Sequence, residues 1–558
     1  MKKESAIINR IYSVISLISS KTERLKGRYP EITVLLLYIV LHIVITCFHE
    51  PWYDEAEAWN IAASGELKEI LFEVPSYEGH PALWHIILMP FAYFGLNYEL
   101  SLNIVTLLFS GITVTLILFK SPLPRIVNIF IPFTYFIFYQ YGVIARPYCV
   151  TLLAFILLAI TYSKRNTKPL FYTASLALLC ATSAYGVVIS GGLAAVWLVE
   201  FVWNIIKNRI EKKSVSQVLL SILRDKTTLS LLVLLIYAIF IIVRIIPENE
   251  GGIASHTADQ VNTLLERLIY TFFAMIPDVL ITNTYNTYDY LNKVQFDTVS
   301  FIATSLLGIA IISGIIYIGK KKKTLWTFLV PYILFAAFSA GIYLCIHHIG
   351  ILFGLLLFWI WISFGNNEKV QVTPILMKVI AIFSTVAILM SFWWNVMSCV
   401  TEINGNYSPD ARIAEYIRDN DLNSCNILFQ NSNSDSDDYK HSAREVAFLP
   451  YRTNENILNW PVEKPLFPAY LKSDSEEFMQ ELKNAIKNGA IPDVIIDYPD
   501  LGAIYGSKVS ASDYETVLKI TSKYIWKGSG MDTFTYISLR KVTTILIKER
   551  YTKLLEKF

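Results

Sequence analysis

Long runs of apolar residues dominate roughly the first 400 positions of the chain. Crossing the hydrocarbon core of a bilayer takes about 20 apolar residues in a helix, and shorter runs suffice when flanking residues adapt. We therefore predict about 11 transmembrane helices, one for each run of sufficient length. These runs are Ile32–Phe48, Leu100–Phe119, Ile126–Val143, Pro147–Tyr162, Leu170–Ala184, Val187–Ile206, Leu229–Ile246, Val299–Ile318, Leu325–Ile346, Ile349–Phe364 and Leu376–Val396.

Two further apolar stretches are predicted to lie at the membrane without crossing it. Ala82–Gly95 has only 14 residues, and Leu264–Ile281 is interrupted by charged residues and a proline. If neither stretch spans, the basic loops that follow every second span fall on the same side as the basic N-terminus, as the positive-inside bias requires. The pattern therefore predicts interfacial helices in the first outer loop, a cytoplasmic N-terminus and an extracytoplasmic C-terminus.

The same pattern divides the chain into three parts. Residues 1–31 form a basic N-terminus with seven Lys and Arg before Glu31. Residues 32–398 form the membrane domain, with long outer loops at 49–99 and 247–298. Residues 399–558 have the composition of a soluble protein. We predict an all-α polytopic membrane bundle followed by a C-terminal extracytoplasmic α/β domain.

The C-terminal part alternates helical and strand patterns. Pro at the first helical position predicts a helix over Pro409–Asp419, with Ser408 as its N-cap. Asn426–Gln430 and Val494–Asp497 are short apolar runs typical of buried strands, and an amphipathic helix is predicted from Ser473 to Asn488. Such alternation is typical of a small α/β domain.

Composition supports a membrane protein and argues against nucleic acid as a partner. Of the 558 residues, 54% are hydrophobic, more than in an average soluble protein, and the formal net charge is only +2. The six cysteines are scattered without CxxC or metal-ligand spacing, so neither a disulfide framework nor a metal centre is predicted from them. Membrane lipids are the solvent that this composition implies.

Carboxylates and aromatic rings cluster just after the first span. The segment Asp54-Glu55-Ala56-Glu57 is flanked by Tyr53 and Trp59, whose rings are of the type that stacks on sugars. A carboxylate beside a membrane can serve as a general base. The alternative is that these carboxylates pair with lysines or solvate an interface.

Further polar residues occupy the predicted outer face. His80-Pro81 opens the short apolar helix, Arg146 lies between two spans, and His347-His348 lies between two later ones. A guanidinium group suits phosphate oxygens, and Arg244, at the outer end of its span, shares this property. The alternatives are an aromatic belt around His80, snorkelling of either arginine to lipid headgroups, and helix capping or packing by the histidines.

In their order along the chain, Asp54-Glu55, His80-Pro81 and Ala145-Arg146-Pro147-Tyr148 resemble motifs of the GT-C superfamily of membrane glycosyltransferases. The chain is most similar to the branch that contains protein O-mannosyltransferases and lipid A aminoarabinose transferases. The resemblance covers roughly residues 32–205 by motif order and the rest by architecture only. It implies a sugar donor linked to polyprenyl phosphate and an acceptor that is a glycan, a lipid or a protein.

The resemblance also implies residue roles. Asp54 would be the general base, with Glu55 positioning acceptor or sugar, in an inverting transfer. The phosphate of the donor would be held by Arg146 with His347 or His348, and Arg244 is a further candidate. The residues predicted to contact substrate are His80, Tyr53, Trp59, Tyr148 and Tyr185. No metal site is predicted, although a divalent cation, Mg²⁺ or Mn²⁺, stays open because Asp54, Glu55 and Glu57 are adjacent.

Two departures from the family pattern bear on substrate contacts. Pro81-Ala82 replaces the usual pair of prolines, and Ser183-Ala184-Tyr185-Gly186 lacks a histidine often found before that turn. The rival functions are a transporter or flippase of lipid-linked intermediates, a polymerase or ligase of lipid-linked glycans, and a scaffold anchored by the bundle. Transporters usually show paired repeats with polar residues near the bilayer midplane, whereas the polar residues here collect at one face.

Overall fold

The computed structural model describes residues 2–25, 27–209, 221–246, 261–365, 373–429, 447–451, 457–458, 491–496 and 511–555. Most of these residues are helical, and four strands form one sheet near the C-terminus. The chain divides into two compact units. Unit 1 comprises Met1–Val44, Leu71–Trp84 and Ile104–Ser398, and unit 2 comprises Ile45–Ile70, His85–Asn103 and Cys399–Phe558.

The long apolar α-helices before the C-terminal part coincide with the apolar runs. In chain order, α1 to α18 are Lys2–Glu23, Tyr29–Thr46, Tyr53–Ser64, Leu67–Phe72, Val74–Glu78, Leu83–Tyr93, Tyr98–Lys120, Arg125–Phe130, Tyr148–Tyr162, Pro169–Cys180, Ala184–Arg209, Lys226–Ile245, Leu264–Ile269, Met275–Leu280, Thr298–Lys322, Leu325–Gly341, Ile349–Gly365 and Pro374–Asn404. Two π-helical segments, Phe136–Val143 and Tyr270–Ala274, and short 3-10 turns connect some of them.

Eight helical segments of the described chain are long and apolar enough to cross a membrane. They are α2, α7, Arg125–Val143, Ala184–Lys207 within α11, α12, α15, Ile346–Gly365 and α18. The other three predicted spans form the shorter apolar helices α9, α10 and α16, so their crossing stays a prediction. Of the two stretches predicted not to span, Ala82–Gly95 contains the short helix α6.

Glycines allow close helix packing within unit 1. A Cβ atom on Gly192 of α11 would lie 2.8 Å from the Cα atom of Pro331 in α16. A Cβ atom on Gly354 of α17 would lie 2.4 Å from the ring of Phe155 in α9. Small residues permit this approach between membrane helices, where van der Waals packing replaces the hydrophobic effect as the driving force.

The C-terminal part contributes α19 (Asp410–Asp419), the strands β1 to β4 and α20 (Lys541–Leu555). The strands are Ile427–Phe429, Val494–Ile496, Tyr514–Trp526 and Ser529–Arg540, in the sheet order β1-β2-β4-β3. β1 and β2 are parallel, whereas β4 runs antiparallel to both β2 and β3. The predicted strands at 426–430 and 494–497 are thus found as β1 and β2.

Two features of this part differ from the sequence prediction or lie beyond it. Ser408 does not cap α19, because Pro409 is the N-cap residue and the Ser408 hydroxyl instead donates to the Asp410 carboxylate. The long hairpin of β3 and β4 was not predicted; it turns at Lys527-Gly528, both with positive φ. The helix predicted over Ser473–Asn488 lies outside the described residues.

Candidate functional site

The predicted site residues divide between the two units. Unit 2 contains the carboxylates Asp54 and Glu55 with the rings of Tyr53 and Trp59. Unit 1 contains the residues predicted to hold phosphate and most of those predicted to contact substrate. These are His80, Arg146, Tyr148, Tyr185, Arg244, His347 and His348.

Glu55 is fully buried and organises the start of α3. Its Oε2 atom accepts a hydrogen bond of 3.1 Å from the backbone N–H of Trp52, the N-cap residue of this helix. The same oxygen lies 3.0 Å from Nε2 of His49. The carboxylate is therefore engaged by groups of its own unit, and its predicted role in positioning acceptor or sugar stays a prediction.

His49 lies between two carboxylates. Its Nε2 atom faces Glu55, and its Nδ1 atom lies 3.0 Å from Oε1 of Glu402 in the last turn of α18. A carboxylate only accepts hydrogen bonds, so both ring nitrogens carry protons and the ring is an imidazolium. Burial opposes this charge, but the charges of Glu55 and Glu402 outweigh burial and raise the pKa of His49 well above its usual value.

Aromatic rings enclose this ion triad of His49, Glu55 and Glu402. The Tyr407 ring lies 5.1 Å from the His49 ring, centroid to centroid, and the Trp52 ring lies 5.6 Å from that of Tyr524 in β3. The backbone N–H of Lys523 donates to the carbonyl of Asn406 at 2.7 Å. The segment after α18 and the β3–β4 hairpin thus surround the loop that precedes α3.

Asp54 is only half-buried, although it is next to Glu55 in sequence. Tyr53 is also half-buried and donates from its hydroxyl to Glu57 at 3.1 Å, one helical turn later. Trp59 is buried, with its ring 5.5 Å from the ring of Tyr98. The predicted substrate contacts of Tyr53 and Trp59 stay predictions, and Asp54 is the more accessible of the two adjacent carboxylates.

Glu50 lines an open cleft of about 460 Å³ in unit 2. Arg412, Glu415 and Arg418 of α19 and the Tyr451 ring form the rest of the polar lining. The buried Oε2 atom of Glu50 has no hydrogen-bond partner among the described residues. Burial raises the pKa of Glu50 to about 7, Arg412 opposes this shift, and Glu402 adds to it.

His347 and His348 are both buried in unit 1, with ring centroids 4.2 Å apart. Nδ1 of His348 lies 3.0 Å from the backbone nitrogen of Cys345 and accepts its hydrogen bond, which caps this short turn. That bond assigns the proton of a neutral ring to Nε2. The Nε2–H group is buried, and it has no acceptor in the part of the chain that the structure describes.

Arg146 is half-buried near these rings. Its guanidinium carbon lies 5.9 Å from the ring centroid of Tyr148, and that ring lies 5.7 Å from His347 and 5.9 Å from His348. Arg146 and His80 both lie close enough to the two imidazoles to interact with them electrostatically. We call Arg146, Tyr148, His347, His348 and His80 the basic cluster.

His80 adds a third imidazole to the basic cluster. Burial lowers its pKa to about 4, so the ring is neutral near pH 7. Its Nδ1 atom and Nδ1 of His347 are buried and have no hydrogen-bond partners among the described residues. Buried polar atoms are nearly always paired in folded proteins, so several orphaned nitrogens beside a guanidinium indicate a place for a polar ligand.

Two predicted residues take different positions in unit 1. Arg244 lies over the ring of Phe72, with 5.1 Å to its centroid, and among the described residues no bond or ring contact joins it to the basic cluster. Tyr185 is fully buried, donates to the carbonyl of Tyr343 at 2.6 Å, and lies with its ring 4.7 Å from His348. The Tyr185 ring therefore packs against His348 of the basic cluster.

Glu402 and Glu50 were not predicted from the sequence as site residues. Glu402 lies 353 positions from His49, and the only local signal is its position as an acidic residue at the end of an apolar helix.

Among the described residues, no group of three or more His, Cys, Asp and Glu side chains could hold a metal ion. In comparisons with known protein families, curated proteins and solved structures, no match to the chain was found.

Proposed function

We propose that this protein is a GT-C-type membrane glycosyltransferase. It transfers a sugar from a polyprenyl-phosphate donor to a glycan, lipid or protein acceptor on the extracytoplasmic face, with inversion at the sugar carbon. The N-terminus then lies in the cytoplasm of a cell-envelope membrane, and the C-terminal domain lies outside. The eight apolar helices support a membrane protein, and the motif order after the first span supports the enzyme class.

The observation that carries this proposal is the basic cluster. Departure of a sugar from a polyprenyl phosphate leaves negative charge on a phosphate oxygen, which fixed donors in a site of low polarity stabilise strongly. Arg146 supplies a permanent positive charge, and His348 supplies a buried N–H without an acceptor in the described chain. Neutral imidazoles beside a guanidinium can donate to phosphate without adding mutual repulsion.

Asp54 is the proposed base. It removes the proton of the acceptor hydroxyl as that oxygen forms its bond to the sugar carbon. The bond from the sugar carbon to the phosphate oxygen breaks, and its electron pair leaves with the phosphate. Glu55 is less suited to this role because its carboxylate is buried and bound by His49 and Trp52. One base suffices, since the phosphate leaves without needing a proton.

Replacing Asp54 by Asn tests this proposal. The protein is reconstituted in vesicles with radiolabelled polyprenyl-phosphate sugars and acceptors extracted from membranes of the source cells, and transfer of label is measured. We expect Asp54→Asn to reduce transfer by at least 100-fold while the protein stays folded and inserted. Glu57→Gln makes the same chemical change one turn later in α3 and should retain most of the activity.

Two outcomes would overturn the proposal. Unchanged transfer by Asp54→Asn would remove Asp54 as the base. Movement of intact lipid-linked sugar across the vesicle membrane, without any cleavage of the sugar–phosphate bond by the wild-type protein, would identify a flippase instead.

A further inference from the structure

The N-terminal helix α1 is too polar to span a membrane, and it carries a continuous apolar stripe. Ile7, Ile11, Val14 and Ile18 follow one another at spacings of four, three and four residues, so they share one helical face. Their exposed fractions are 61%, 44%, 52% and 48%. Four large apolar side chains in a row, half exposed, require a covering that the described residues of unit 1 do not supply.

Residues on the side of α1 away from the stripe contact the protein. Asn9 accepts a hydrogen bond of 2.6 Å from the ammonium group of Lys378, which also lies 5.8 Å from the centroid of the Tyr12 ring. Lys378 belongs to the first turns of α18. This end of α1 therefore lies beside the start of an apolar helix long enough to span.

The other end of α1 is fixed at the start of a different span. The backbone N–H of Arg125, the first residue of α8, donates to Glu23 at 2.7 Å. The Arg125 side chain donates to the carbonyl of Gly27 at 2.7 Å and forms a two-armed ion pair with Glu31 in the first turn of α2. The C-terminal end of α1 thus lies at the starts of α8 and α2.

These two attachments give the direction of α1. Asn9 and Glu23 are 14 positions apart, which corresponds to about 21 Å along a helix. A helix that reaches from the start of α18 to the starts of α8 and α2 runs across the ends of these helices rather than along them. In a membrane bundle, that direction lies in the plane of the bilayer surface.

The charges of α1 lie where lipid headgroups would be. Arg10 and Lys21 fall next to Val14 around the helix axis, at the edge of the apolar stripe, and Arg24 follows the helix. The opposite side carries small polar residues, Ser13, Ser16 and Ser20. An apolar face bordered by basic residues is typical of helices that lie in the interface of membranes with anionic lipids.

We propose that α1 lies flat on the bilayer, with the stripe of Ile7, Ile11, Val14 and Ile18 buried among the acyl chains just below the headgroups. Arg10 and Lys21 bind the headgroups of anionic phospholipids. The bilayer that surrounds the adjoining spans thus covers the stripe, and no second protein is needed. This inference is independent of the proposed enzymatic function.

Depth-dependent quenching in the full-length protein tests this proposal. A bimane fluorophore is attached to Val14→Cys or, as the matched control, to Ser16→Cys, both in a Cys47→Ser background, and labelling of the background protein is subtracted. Vesicles contain phosphatidylcholine with or without one quarter phosphatidylglycerol, and the quenchers are a headgroup-proximal nitroxide lipid and aqueous iodide.

We expect the nitroxide lipid to quench the label at 14 at least threefold more than the label at 16, and iodide to show the reverse order. The nitroxide quenching at 14 should be stronger with phosphatidylglycerol, and Arg10→Glu with Lys21→Glu should abolish that increase. Equal access of iodide to both labels would overturn the proposal, as would shielding of position 14 from both quenchers, which indicates a protein cover. Equal quenching in the two vesicle types would overturn the role of anionic lipid.

Discussion

Nδ1 of His49 and Oε1 of Glu402 lie 3.0 Å apart and join the segment after the first span to the last turn of α18. Glu55 contacts the opposite nitrogen of the same ring at 3.0 Å. One imidazolium between two carboxylates leaves a buried triad with one excess negative charge. The triad fixes the loop that leads to Asp54, so its stability and the position of the proposed base depend on the same contacts.

Replacing members of the triad should destabilise the protein unequally. His49→Gln leaves two buried carboxylates without a cation, and breaking a buried ion pair in this way costs about 3–5 kcal/mol. Glu402→Gln leaves a neutral pair of His49 and Glu55 and should cost less. Thermal unfolding in detergent measures the order of the two midpoints. A lower midpoint for Glu402→Gln than for His49→Gln would contradict the assigned charges.

Glu50 should make stability depend on pH in a defined direction. Its pKa is raised from 4.5 to about 7, so the folded protein binds this proton more tightly than the unfolded chain. Stability from this group is fully present below pH 4.5 and is lost as pH rises towards 7. We expect Glu50→Gln to stabilise the protein at pH 8, on the order of 1–3 kcal/mol, and to have little effect at pH 4.5.

Glu415→Gln is the control for this effect. Glu415 lines the same cleft, but its side chain is 47% exposed and bonded to Arg412. Unfolding midpoints measured from pH 4.5 to pH 8 should therefore change slope for Glu50→Gln and not for Glu415→Gln. Parallel curves for Glu50→Gln and the wild type would refute the prediction.

Close packing at Gly308 of α15 should be sensitive to a single methyl group. A Cβ atom there would lie 1.8 Å from the carbonyl oxygen of Phe273, which is backbone and cannot move aside cheaply. Gly308→Ala should cost about 1–3 kcal/mol or more. Gly314→Ala, in the same helix, meets no atom within 4 Å and should be neutral or slightly stabilising. Thermal unfolding of the two variants side by side checks this contrast.

Polyprenyl phosphate should stabilise the wild-type protein through the basic cluster, whereas polyprenol of equal length should not. A ligand at 100 times its dissociation constant stabilises the folded state by about 2.7 kcal/mol, which thermal unfolding detects readily. Arg146→Ala should lose this stabilisation. Arg244→Ala should keep it, because Arg244 lies over Phe72 and has no contact with the basic cluster among the described residues. Equal responses of both variants would show that phosphate binds elsewhere.

Apolar run length was enough to predict the long apolar helices, because each span must satisfy its backbone hydrogen bonds internally. Run length could not decide whether 12- to 17-residue helices such as α10 and α16 cross the bilayer. The hairpin of β3 and β4 was missed even though the buried Ile520, Ser522 and Tyr524 alternate with less buried residues, Thr521 and Lys523. Polar residues occur on both faces of this strand, which hides the period of two.

Candidate site residues could be named from the sequence one by one, but the contacts between them could not. Adjacent side chains on a regular α-helix point about 100° apart, yet a 3-10 turn brings the rings of His347 and His348 into contact, with 4.2 Å between centroids. The pairing of His49 with Glu402 is invisible in sequence because no periodicity connects residues 353 positions apart. Only tertiary structure shows which carboxylate is already bound.

The adjacent acids Asp54 and Glu55 show that neighbours in sequence can have different surroundings in the fold. Successive side chains on a helix point about 100° apart, so one turns inward to the triad while its neighbour stays nearer the surface of α3. The pair is therefore not interchangeable. Swapping the two residues would keep the composition and charge of the chain. The buried side chain at position 55 would become one methylene shorter, and the half-buried side chain at position 54 would become one methylene longer. A homologue carrying Glu-Asp here would need a compensating change at His49 and, if Asp54 is the proposed base, a shifted acceptor position.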